Sequence, residues 1–166
     1  MQKYQIFLAS SINEFKDERN EIGDLIRKIQ DILIDYEIKI KLFECEFFDN
    51  TIALGRKQGE YNEQIKKSQS FIMLVGSKLG QYTLEEYNIA INSQIPIYVL
   101  FKNTQYDQSV EDFKNQIDEN VNCYNYTTIQ EMKTVIAKII QNLCKTEISI
   151  QIKENKIQIE NKYIKL

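Results

Sequence analysis

Apolar residues along this chain gather either into short unbroken runs or into stripes with a spacing of three to four. Residues 71–75 (FIMLV) form an unbroken run, too short for a lone helix and stopped by Gly76. Such a run suits a central parallel strand covered on both faces. Residues 97–101 repeat the pattern behind Pro96, and residues 4–9 (YQIFLA) open the chain as a further strand. Residues 38–45 (IKIKLFEC) alternate apolar and polar, which predicts a strand at or near a sheet edge, and residues 121–126 predict a short fifth strand.

Between the strands the period changes. Phe15, Ile22, Leu25, Ile26, Ile29, Ile32 and Leu33 recur mostly every three or four residues. With Asn13 as cap and Lys16, Asp17 and Glu18 in or near the first turn, they predict an amphipathic first helix. Ile129, Met132, Val135, Ile136, Ile139, Ile140 and Leu143 form a clear final stripe. Thr83 is placed to cap a third helix running to about residue 92, with Glu85 and Glu86 in its first turn. Residues 110–119 read weakly as a helix. Residues 46–58, with no clear period, read as a long loop leading into a helix over about 60–67.

This alternation predicts a doubly wound α/β fold. The expected sheet is five-stranded, parallel and flavodoxin-like, in the order 2-1-3-4-5, because parallel neighbours need right-handed helical crossovers. Ligands of such sheets sit beyond the carboxyl ends of the strands at the switch point, here between the first and third strands. The Ser10 loop, the Ser77 loop and the Glu86 helix converge there. From residue 147 the pattern becomes EISIQIKENKIQIENKYIKL, two alternating runs about a Glu-Asn-Lys turn, which predicts a β-hairpin. The expected organisation is an α/β domain over 1–146 and a hairpin tail over 147–166. A two-stranded ribbon is marginal alone, so the tail either packs on the domain or, as favoured here, begins a following region.

Composition narrows the chemistry. The 166 residues are 43% hydrophobic and 27% charged with a single proline, which is globular, and no run approaches the length of a membrane span. A net charge of −3 supplies no basic field for a polyanion, so direct nucleic-acid binding is not expected. Cys45, Cys123 and Cys144 are widely spaced and the N-terminus lacks a signal-peptide layout, so a reducing cytoplasm is expected and neither a zinc site nor any other metal site is. With no histidine, catalysis must rest on carboxylates or hydroxyls. There is no Gly-rich dinucleotide fingerprint, P-loop or nucleophile elbow.

A carboxylate at Glu86 would lie beside the switch-point crevice, where it can do chemistry; the plainer reading is that Glu85 and Glu86 only complement the helix dipole. Taken together, QIFLASSINEFKDERNEI, GEYNEQIKKSQSFIMLVG and TLEEYNIAI resemble the TIR-like domains at the N-termini of bacterial multidomain defence and signalling proteins, over roughly residues 4–101. In TIR-type NAD-cleaving enzymes and the related nucleoside deoxyribosyltransferases, the catalytic glutamate stands on the helix after the third strand, four residues before a small residue. Glu86 and Ala90 match that spacing, and Glu85 is the competing assignment.

The resemblance implies an NAD nucleosidase with NAD as substrate, no cofactor, activation by self-association and further domains in the full protein, in anti-phage defence. Cleavage of the nicotinamide bond passes through an oxocarbenium-like state that a carboxylate stabilises, and nicotinamide leaves neutral without a general acid. Ser10, Ser11 and Ile12 would line the site, with Ser77, Lys78 and Tyr82 opposite and Phe47 or Phe48 stacking on a ring. The plainer readings are turn serines, a solvated lysine and core or interface phenylalanines. The 46–58 loop corresponds to a self-association segment, or else covers the domain's own sheet edge. Glu18 and Arg19 are expected to form an internal ion pair. The alternatives to an enzyme are a non-catalytic TIR-like adaptor and a deoxyribosyltransferase-like nucleotide-binding domain. The absence of tryptophan departs from the receptor TIR pattern.

Overall fold

Ala9 lies beside Met73 and Val75 beside Phe101, so the apolar runs of the sequence are neighbours in one parallel sheet. The structure, a computed structural model, describes residues 1–44, 51–144, 148–153 and 156–161, with the backbone alone for 51–58 and 161. Strands β1 (Gln2–Ala9), β2 (Ile38–Glu44), β3 (Ser70–Val75), β4 (Ile97–Lys102) and β5 (Asn122–Tyr126) are ordered β2-β1-β3-β4-β5. This is the flavodoxin-like order expected, with the switch point between β1 and β3.

Side chains alternate across this sheet and build two cores. Ile6, Leu8, Ile72, Leu74 and Leu100 face α1 (Lys16–Leu33) and α5 (Ile129–Leu143). Phe7, Ala9, Phe71, Met73, Val75 and Val99 face the opposite layer of α2 (Thr51–Lys67), α3 (Gln81–Asn92) and α4 (Gln108–Gln116). β3 is buried along its whole length, which explains why its sequence shows no polar alternation. β2 is an edge strand and does alternate, Ile38 and Ile40 inward, Lys39 and Lys41 outward.

Helix starts depart from the sequence reading. α1 begins at Lys16 behind an uncapped Phe15, and Asn13 belongs to the preceding turn, in which the Phe15 N–H donates to the Ser11 carbonyl. Phe15 is fully buried, so core packing fixes the start where a side-chain cap does not. α3 begins at Gln81 with Gly80 as its extended cap residue; Thr83 is buried on the inner face, and Glu85 and Glu86 fall past the first turn. α2 begins at Thr51, well before residue 60, so the expected long loop is largely helix. In α5 the expected start holds, through a capping box between Thr128 and Glu131.

β6 (Ile148–Lys153) and β7 (Lys156–Asn161) form the expected antiparallel hairpin. Ile148 and Ile150 are buried in the same core as α1 and α5, and the Ile150 N–H donates to Gln141 Oε1 at 2.9 Å. Among the described residues no helix is long and apolar enough to cross a membrane.

Candidate active site

β1 ends at Ala9, and Ser10 follows it into the switch-point region. The Ser10 hydroxyl oxygen accepts a 2.9 Å hydrogen bond from Arg19 on α1, and the second arm of that guanidinium lies 3.3 Å from Glu44 at the end of β2. Arg19 therefore ties the carboxyl ends of β1 and β2 together. The expected Glu18–Arg19 pair is not what forms. Adjacent helical residues point about 100° apart, so Arg19 turns to Glu44 while Glu18, 4% exposed, takes Lys102 of β4 at 2.5 Å.

The two switch-point loops are joined by Glu14. Its carboxylate accepts a 2.6 Å hydrogen bond from the Ser77 backbone N–H, seated where a side chain on Gly76 would have to be. Beyond it, the Ser77 carbonyl accepts from the Asp107 N–H at 2.9 Å and the Leu79 N–H donates to Ser109 Oγ at 3.1 Å. The loop after β3 is thus held from both flanks. Asp107 also caps α4, and the Ser109 hydroxyl it accepts from holds its carboxyl below the usual range.

On α3, Thr83, Glu86, Tyr87 and Ala90 make the buried face. Glu86 is 5% exposed and lies about 7.5 Å along the axis from the helix start, at 1.5 Å per residue. Glu85 is half-buried and turned to α2, accepting from Asn62 Nδ2 at 3.0 Å. Tyr87 packs edge-on against Phe113 with ring centres 4.9 Å apart.

Of the sequence-derived site residues, Ser10, Ser11, Ile12, Ser77 and Lys78 lie in the loops at the carboxyl ends of adjacent strands. Ser77 contributes backbone groups to the hydrogen bonds that hold its loop, while Lys78 and Tyr82 are exposed. Glu86 belongs to the α2–α3 layer, whereas the Ser10 side chain is turned to α1 on the other face of the sheet. Phe47 and Phe48 lie outside the described residues. Sequence reading passed over Glu14, Glu44 and Lys102. Only Glu14 carried a signal, as a carboxylate in the loop after the first strand.

The sheet order, the two-layer core and the loops at the switch point define a doubly wound α/β domain of flavodoxin-like topology. The chain belongs to the family described as Domain of unknown function (DUF4062), which matches residues 5–153. No curated protein matches it. Among solved structures it is similar to the CMP N-glycosidase BcmB of Clostridium botulinum, at 20% identity and a TM-score of 0.50, over 80% of this chain and 97% of that one. It also matches a 3-dehydroquinate dehydratase-like protein from Bifidobacterium longum, at 10% identity and a TM-score of 0.44, over 86% and 98% of the two chains. At such identities the likeness is one of fold.

Proposed function

We propose that this domain hydrolyses the N-glycosidic bond of a nucleotide, with NAD as substrate and Glu86 as the carboxylate that stabilises the transition state. The observation that carries the reading is the orientation of α3: Glu86 is the buried, inward glutamate of the helix after the central strand, while Glu85 is turned toward Asn62 of α2. In the reaction the bond from ribose C1′ to the pyridinium nitrogen breaks, and its electron pair leaves with neutral nicotinamide. Water adds to C1′ and its proton passes to solvent. The positive charge developing on the ribose is what a low-dielectric carboxylate stabilises. A chain without histidine suffices, since no leaving group needs protonation.

The TIR resemblance supports NAD as substrate, with no cofactor, activation by self-association and a cytoplasmic defence role. The fold likeness to a nucleotide N-glycosidase supports a second substrate, a pyrimidine nucleotide such as CMP. The test is to incubate the full chain with NAD and with CMP at several protein concentrations. Nicotinamide release that rises more than proportionally with concentration and disappears in Glu86→Gln is the expected result. Cytosine release instead moves the proposal to the second substrate. Release of neither base leaves the adaptor reading.

A further inference from the structure

A serine hydroxyl has one hydrogen to donate and two lone pairs to accept with. At Ser10 one lone pair is taken by Arg19, at 2.9 Å, and Arg19 has no acceptor to offer in return. The Ser10 hydrogen must therefore point away from the guanidinium, and among the described residues it meets no acceptor. This is a buried serine, 9% exposed, at the carboxyl end of a strand flanking the switch point, with a cation fixed behind its oxygen. The cation is held in turn by Glu44 and is itself only 7% exposed. A hydroxyl polarised from behind by a buried guanidinium is a stronger donor and favours an anionic acceptor.

We infer that Arg19 and Glu44 are positioning residues that fix the Ser10 hydroxyl as a hydrogen-bond donor, and that the group it receives is an anionic phosphate oxygen of the ligand. The switch point then selects nucleotides over the corresponding nucleosides. This rests on the reading of the crevice as a nucleotide site, but not on the hydrolysis proposed for it. Ser10 touches ligand; Arg19, which also ties β1 to β2 through Glu44, acts on the ligand only through Ser10.

The experiment is equilibrium binding to the full chain of two matched pairs, nicotinamide mononucleotide with nicotinamide riboside and CMP with cytidine, alongside melting temperatures. In the wild type the phosphorylated member of at least one pair binds more tightly. Ser10→Ala weakens that member by about tenfold to a hundredfold, the scale of a charge-assisted hydrogen bond, and leaves the nucleoside nearly unchanged. Ser10→Thr, which keeps the donor, retains the preference. Arg19→Lys reduces it without the uniform loss of both ligands that a structural role would produce. Equal affinities within both pairs, equal behaviour of Ser10→Ala and Ser10→Thr, or no binding at all overturns the inference. Phosphate-selective binding without base release leaves it standing and removes the hydrolase reading, whereas hydrolysis without phosphate preference does the converse.

Discussion

Glu14 and Ser77, 63 residues apart in the chain, share a 2.6 Å hydrogen bond across the switch point, and Gly76 beneath it has no side chain to stand in the way. A Cβ at Gly76 would overlap the Glu14 carboxyl and come within 2.8 Å of the buried Phe15 ring. Glycine is required here by space and not by a left-handed backbone, since no glycine in the described chain has a positive φ.

Gly76→Ala is therefore expected to destabilise by about 1–3 kcal/mol, the usual cost of overpacking. Adding Glu14→Ala removes the nearer obstacle and recovers part of that loss, while Phe15 keeps the rest. Denaturant melts of the two single variants and the double variant measure the coupling; strict additivity would refute the clash.

Glu86→Gln preserves shape at a buried position and removes the charge. Nicotinamide release is expected to fall by at least about a hundredfold, as on loss of a transition-state electrostatic contact, with the far-ultraviolet circular dichroism unchanged. Glu85→Gln disturbs only the contact to Asn62 and is expected to remain within a few-fold of wild type. The reverse ranking places the chemistry on the other glutamate.

Tyr126 is 1% exposed and its hydroxyl meets no hydrogen-bond partner among the described residues. Burial pushes its phenol above the ordinary value of 10.0, with Glu18, Glu14 and Tyr106 adding to the effect. The unfolded chain then loses this proton first. The stability contribution is full below pH 10 and drains as pH rises above it, because the folded state still holds the proton. Cys144, pushed up to about 11 from 9.0 by burial, has the same sign between those values. Tyr126→Phe should be neutral or stabilising at pH 7, by less than about 1 kcal/mol, since no hydrogen bond is lost. Its melting temperature should fall less than the wild type's between pH 9 and 11.

Ile150→Ala empties a buried position shared by the hairpin and the α1–α5 layer and should cost about 2–4 kcal/mol. Ser149→Ala, next to it and only partly buried, should change stability little. An Ile150→Ala melt superimposable on the wild type would mean that the hairpin does not share the core.

The strands and their order were legible because a parallel sheet covered on both faces writes itself as continuous apolar runs, and Gly76 and Pro96 punctuate them. The starts of α1 and α3 were not, since burial of Phe15 and Thr83 decides them in place of a local cap. Glu86 and Ala90, four residues apart, share the inward face of α3, as the spacing in the sequence implied, while the role expected of Glu86 rests on the resemblance. The partners of Glu18 and Arg19 were hidden for a simple reason: Lys102 and Glu44 arrive from other strands, and only the sheet order makes them neighbours.

The loop after β3 is anchored on one side by Glu14 and on the other by Asp107 and Ser109. Its ordering entropy was surrendered when the chain folded, so a ligand docking beside it has little left to freeze. Preorganisation of this kind raises affinity without any added contact. Hydrogen exchange at Ser77 and Leu79 is then expected to be slow in the empty protein, and nearly as slow in the occupied one.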